Sequence, residues 1–183
     1  MAFGDAGSYA RFMGRFSEPL APLFADLVRV ADTPGDRVLD VGCGPGVLTA
    51  ELVARYGAER VDAIDPTPGF VLATRERLPG VDVREGPAEQ LPWPDDSYAA
   101  GFAQLVVHFM KDPVRGLTDV RSGELSVTVP MGSFEEWWAP YTEPAGSVGD
   151  YLAKRAPDEI AALEAHCRSS LGDGPFDLSL IHI

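Results

Sequence analysis

Val38-Leu-Asp-Val-Gly-Cys-Gly-Pro-Gly46 joins a short apolar run, with an acid at Asp40, to glycines at 42, 44 and 46. An apolar run that ends in closely spaced glycines and opens into a helical pattern is the turn of a βα unit, where the backbone meets a phosphate or nucleoside. A dinucleotide turn requires G-x-G-x-x-G. Here the third glycine follows the second by two residues and Val47 stands where the dinucleotide pattern wants glycine. The turn is therefore G-x-G-x-G, which counts against a nicotinamide-dependent oxidoreductase.

Two further motifs lie downstream. Val61–Asp65 reads as a second strand and ends in an acid 19 residues beyond Gly46. A carboxylate there accepts hydrogen bonds from both hydroxyls of a ribose; the alternative is a solvated strand end. Gly86-Pro-Ala-Glu-Gln-Leu-Pro-Trp-Pro-Asp-Asp-Ser-Tyr98 then resembles the G-x-A-E-x-L-P-[FW]-x-D-x-S-[FY] segment of the type-11 methyltransferase domain. With the G-x-G-x-G turn and Asp65 in the same order and spacing, residues 36–112 resemble the class I S-adenosylmethionine (SAM) dependent methyltransferases. The resemblance implies a doubly wound, mostly parallel, Rossmann-like α/β sheet with helices on both faces, SAM as cofactor and a small-molecule methyl acceptor.

The bulk composition agrees with that class. The chain has 183 residues, of which 45% are apolar and 23% charged, enough for one soluble globular domain with a core. Its formal net charge of −13 argues against nucleic acid or an anionic membrane as partner, because both are held by clustered Lys and Arg. Cys43 and Cys167 are the only cysteines and one sits inside the glycine turn, which fits a reducing, cytoplasmic compartment. The start lacks the basic flank and apolar stretch of a signal peptide, and no apolar run approaches the roughly 20 residues that span a bilayer. Three scattered histidines and two cysteines show no zinc spacing, so no metal is expected.

Along the chain, Ser17–Val28 reads as a helix with Leu20, Phe24, Leu27 and Val28 inward. Val38–Val41 reads as a strand, Val47–Tyr56 as a helix closed by Gly57, Arg60–Ile64 as a strand, Pro68–Leu78 as a helix, and Val81–Arg84 and Tyr98–Val107 as the third and fourth strands. The expected organisation is an N-terminal helical cap over 1–35, a SAM-binding core over 36–112, and a shortened strand-and-helix segment over 113–183. Beyond Asp112 the family's Arg-x-Leu-x-Pro-Gly-Gly turn is missing, and Gly116–Pro130, with alternating Leu125, Val127 and Val129, resembles the sixth strand with its lead-in. The fifth strand is thus expected to be absent, leaving strand four short of a neighbour. A rival reading makes 112–120 a crossover helix and puts Glu124–Val129 in the vacated place beside strand four. Leu178-Ser-Leu-Ile-His-Ile183 stops where the family's last strand runs on and resembles translated sequencing-adapter sequence, so the expectation is an incomplete, internally shortened reading of a longer gene.

The resemblance assigns roles residue by residue. Gly42, Gly44 and Gly46 let the backbone approach the cofactor, Asp40 faces its amino group, Asp65 takes the ribose hydroxyls, and Ala88 with Glu89 lies at the adenine edge. Glu89 has an alternative as the cap of a turn. Gln104 and His108 fall at the carboxyl end of strand four, where open α/β sheets bind ligands. Gln104 is assigned to the cofactor, and His108 is the candidate general base, its alternative being a structural histidine. Tyr9 and Arg15 either close over the cofactor or belong to a solvated arm. Phe134, Trp137, Trp138 and Tyr141 share one helix face and either select an acceptor as a lid or pack as core. No Asn-Pro-Pro-Tyr or Asp-Pro-Pro-Tyr follows strand four, which points away from amide and exocyclic nitrogen acceptors. The competing reading is a non-catalytic fragment that retains only the SAM-binding half.

Overall fold

Four short parallel strands form the sheet of the computed structural model, which describes residues 7, 13–27, 30, 36–116, 125–143 and 146–182. They are β1 (Val38–Val41), β2 (Val61–Asp65), β3 (Asp82–Glu85) and β4 (Ala100–Phe102), in the order β3-β2-β1-β4. Every residue of β1 and β2 is buried, as expected of central parallel strands covered on both faces. Asp40 lies opposite Ala63 on one side and Phe102 on the other.

Three helices precede or connect these strands: α1 (Arg15–Leu27), α2 (Val47–Tyr56) and α3 (Pro68–Arg77). The steps from β1 to β2 and from β2 to β3 run the same way across the sheet, so right-handed crossovers put α2 and α3 on one face. On that face Leu48 and Leu52 of α2 meet Ala21 and Ala25 of α1, together with Val38, Val61 and Phe102. The opposite face, Leu39, Val41 and Ile64, is covered by Ala88, Trp93, Tyr98, Ala103 and Met110 from the segment that leads into and out of β4. Its buried acid, Asp62, is neutralised by Arg37 Nε at 3.2 Å and accepts the Tyr98 hydroxyl at 2.6 Å.

Three expectations are corrected here. The inward face of α1 is Ser17, Leu20, Ala21 and Ala25, with Phe24 partly buried, whereas Leu27 is 43% exposed and Val28 lies outside the described residues. α1 accommodates Pro19 and Pro22 because neighbouring Glu18 and Leu23 face solvent. Strand four is confined to Ala100–Phe102, since Leu105 adopts left-handed backbone with φ 58° and the chain then makes a 3₁₀ turn over Val107–Phe109. Of the crossover helix expected over 112–120, Pro113–Gly116 forms α4 and residues 117–120 lie outside the described residues.

The third correction concerns the vacated place beside β4. β5 (Leu125–Met131) pairs with β6 (Phe176–His182) in a separate two-stranded sheet, not with β4. Among the described residues β4 has β1 as its one strand neighbour and no fifth strand joins the sheet.

The chain divides into two compact units, residues 17–125 with 181–183, and residues 126–180 with 1–16. In the second unit α5 (Phe134–Thr142), α6 (Gly146–Leu152) and α7 (Pro157–Leu171) accompany the β5-β6 pair. Ser133 caps α5 by accepting the Glu136 N–H at 3.2 Å, while Glu136 Oε2 reaches back to the N–H of Gly132 at 2.9 Å. Phe134, Trp138 and Leu152 form this unit's buried cluster, with Ile160, Cys167 and Phe176 packed against it.

Candidate functional site

The glycine turn follows β1 directly, and Gly42, Gly44 and Gly46 all adopt left-handed φ, at 72°, 53° and 82°. The turn is pinned from β2. The N–H groups of Gly42 and Cys43 both donate to the Ile64 carbonyl, at 2.8 and 3.0 Å, and the Gly44 N–H donates to Asp65 Oδ2 at 2.9 Å. Asp65 Oδ1 accepts the Thr67 N–H at 2.8 Å, so the two oxygens join the turn after β1 to the turn after β2. Burial raises the Asp65 pKa, against the opposing pull of the Gly44 and Thr67 N–H groups.

Glycine at 42 is required by the protein's own packing. A Cβ there would lie 2.5 Å from Val106 Cγ1, because the left-handed step at Leu105 lays Val106 across the turn. At Gly46 the corresponding neighbour is Thr74, whose hydroxyl donates to the Gly44 carbonyl at 2.8 Å.

Asp40 is turned inward, 1% exposed, beneath α2, where its Oδ2 accepts the Thr49 hydroxyl at 2.6 Å. Burial raises its pKa from an ordinary 3.8 to about 7, opposed by the Thr49 bond and reinforced by the nearby Asp65 charge. Between those values the unfolded chain has released a proton that the folded chain keeps, so stability is lost as pH rises from 3.8 to about 7. Asp40→Asn keeps an acceptor for Thr49 but has no proton to release. The melting temperature of the wild type is therefore expected to fall relative to Asp40→Asn between about pH 4 and pH 7, with a constant difference above about pH 8. A pH-independent difference between the two melting curves would remove Asp40 as the titrating group.

Ala88 is half-buried against Leu39, Val41 and Ile64. Glu89 Oε1 accepts the N–H groups of Lys111 and Asp112 at 2.7 and 3.0 Å, which is the capping geometry, and these bonds hold its pKa below the ordinary value. Gln104 and His108 both lie beyond the end of β4. Gln104 is 9% exposed and its Nε2 donates to the Ser17 carbonyl of α1 at 3.1 Å. His108 is exposed on the 3₁₀ turn, its ring 3.9 Å from that of Phe109.

Tyr9 lies outside the described residues. Arg15 Nη1 sits 2.9 Å from Met131 Sδ in the second unit, beside Trp137 and Tyr141. The aromatic face of α5 divides, since Phe134 and Trp138 are buried core while Trp137 and Tyr141 are half-buried around Arg15. Thr49 and Thr74 are site residues that sequence motifs did not single out. A hydroxyl on the buried face of a helix must find a partner, and that requirement was the available signal.

A parallel sheet of order β3-β2-β1-β4, with a glycine turn after its first strand and a buried acid closing its second, is the class I methyltransferase fold. Residues 38–122 match the family model of the methyltransferase domain. It is 38% identical over 111 residues to a trans-aconitate 2-methyltransferase of Methylobacterium nodulans, covering 59% of this chain and 42% of the relative. A trans-aconitate 2-methyltransferase of Rhizobium rhizogenes is 30% identical over 159 residues, covering 84% of this chain and 57% of the relative. The chain thus spans about half the length of the curated relatives it matches. Among solved structures, the SAM-bound amino pentose methyltransferase of Micromonospora echinaspora shares the fold, with TM-score 0.51, 23% identity, and coverage of 66% of this chain and 53% of that one. No helix among the described residues is long and apolar enough to cross a membrane.

Proposed function

We propose that the protein binds SAM at the glycine turn and transfers its methyl group to a small-molecule acceptor. The observation that carries the reading is the Asp65 carboxylate joining the turns after β1 and β2, within a segment that matches the methyltransferase domain. The residues present fit the cofactor. The turn offers backbone without side chains, the acid at the end of β2 keeps lone pairs for ribose hydroxyls, and Gln104 Oε1 is a buried acceptor that no donor among the described residues reaches. When bound, SAM supplies an electrophilic methyl on a sulfonium centre.

The chain's own work is to bind, orient and exclude water. Asp65 takes the ribose hydroxyls, and the free N–H groups at the start of α2 meet the cofactor carboxylate. Asp40, buried beneath α2, ties β1 to that helix through Thr49 and stands behind the cofactor's amino end. Ala88 and Glu89 border the adenine edge, and His108 is the candidate base on the acceptor side. Residues 36–112 hold the cofactor under this reading. The acceptor we favour is a small carboxylate, supported by the naming of curated relatives as trans-aconitate 2-methyltransferases. A cytoplasmic setting is supported by the unpaired Cys43 and Cys167.

A second reading, a fragment that binds SAM without turnover, is favoured by a sheet that ends at β4 among the described residues. Calorimetric titration with S-adenosylhomocysteine, followed by transfer of labelled methyl to trans-aconitate and related carboxylates, separates the two. Binding with transfer supports the enzyme, binding without transfer supports the fragment, and no binding by folded protein overturns both.

A further inference from the structure

The chain leaves β1 toward β2 and β3, whereas β4 lies on the other side of β1, so strand order reverses between β1 and β4. Ligands of open α/β sheets bind at such a reversal, beyond the carboxyl ends of the strands. Asp40 is opposite Phe102 in the ladder, and two residues further on Gly42 and Gln104 leave the sheet at that crevice. Gln104 is buried there between the two strands' exits and α1. Its orientation is set by chemistry. The Ser17 carbonyl only accepts, so the carboxamide must present nitrogen to α1 and oxygen to the other side.

That oxygen is buried and has no donor among the described residues. Leaving such an acceptor unmade is unfavourable, and the next residue, Leu105, carries left-handed backbone as well. Two adjacent unfavourable features at the strand-order reversal are a ligand-shaped demand for one hydrogen-bond donor. Asp65, the acid suited to hydroxyls, closes β2 on the far side of β1, roughly 10 Å or two strand spacings from β4. A ligand with its ribose at β2 brings its opposite end, the amino-acid ammonium, to the β4 side.

We propose that Gln104 couples occupancy of the β1–β4 crevice to the seating of α1, its Oε1 accepting from a ligand ammonium while its Nε2 holds the Ser17 carbonyl. The inference rests on the SAM reading of the site. Gln104 is a two-sided positioning residue: a bound ammonium fixes the carboxamide, and the fixed carboxamide holds the first turn of α1 against the exit of β4. Coupling of this kind is reciprocal, so a well-seated α1 also raises affinity for an ammonium-bearing ligand.

The test compares S-adenosylhomocysteine with 5′-methylthioadenosine, which keeps the nucleoside and lacks the amino-acid end. In the wild type, hydrogen exchange of the α1 amides is expected to slow about tenfold with the first ligand and to stay unchanged with the second. In Gln104→Met, of similar shape but without a polar oxygen, calorimetry is expected to show about tenfold weaker binding of S-adenosylhomocysteine and unaltered binding of 5′-methylthioadenosine. Retained 5′-methylthioadenosine binding also certifies that the variant is folded. Equal weakening for both ligands, or α1 protection by both in the wild type, overturns the coupling alone. Failure of the wild type to bind either ligand overturns the SAM reading with it.

Discussion

Asp65→Ala is expected to weaken S-adenosylhomocysteine binding by about a hundredfold or more. Hydrogen bonds to an ionised group contribute about 1.5 kcal/mol or more each, and a carboxylate that takes two ribose hydroxyls supplies two of them, about 3 kcal/mol together. The substitution also strips the Gly44 and Thr67 N–H groups of their acceptors, so the turn loses its tie to β2. Stability is expected to suffer less than affinity. Burial already raises the pKa of Asp65, so removing the carboxylate also relieves a desolvation cost that partly offsets the two orphaned donors. Calorimetry at a temperature where the melting curve shows the variant folded separates the effects, and a loss of less than about threefold would exclude Asp65 from ligand binding.

Gly42→Ala is expected to destabilise the first unit by about 3 kcal/mol. Left-handed backbone at φ 72° costs an L-residue about 1–2 kcal/mol, and a methyl 2.5 Å from Val106 Cγ1 and 2.6 Å from Cγ2 adds an overpacking cost of about 1–3 kcal/mol. For a chain of this size that corresponds to roughly a 6–12 °C lower melting temperature. The two causes are separable. Adding Val106→Ala removes the clash but leaves the backbone strain, so a double-mutant cycle is expected to recover about half of the loss. Absence of coupling between the two positions would show that Val106 does not rest on the turn.

Which parts of this were legible beforehand follows from how local each feature is. The β1 strand, the G-x-G-x-G turn and α2 lie within residues 38–56, and each is specified by neighbours a few positions away: an apolar run, glycines, then Leu48 and Leu52 on one helical face. The same holds for β2 with Asp65. Strand four is shorter than its apolar run suggests, because such a run carries no sign of where it bends. In Tyr98–Val107 only Ala100–Phe102 pairs, Leu105 turns the chain, and Val107 is 38% exposed.

The aromatic face of α5 was legible as a face, but whether it formed core or lid depended on α6, α7 and β6, whose contacts no local pattern specifies. Sequence by itself determined the alternating strand-helix order, the glycine turn and the acid that closes β2, because periodicity and turn chemistry act over a few residues. Only the tertiary structure decided that β5 pairs with β6 instead of β4, that Val106 rests on Gly42, and that Gln104 reaches Ser17 across 87 residues. Those contacts join distant segments, and close packing and the satisfaction of buried polar groups, not local propensity, select among the partners each could take.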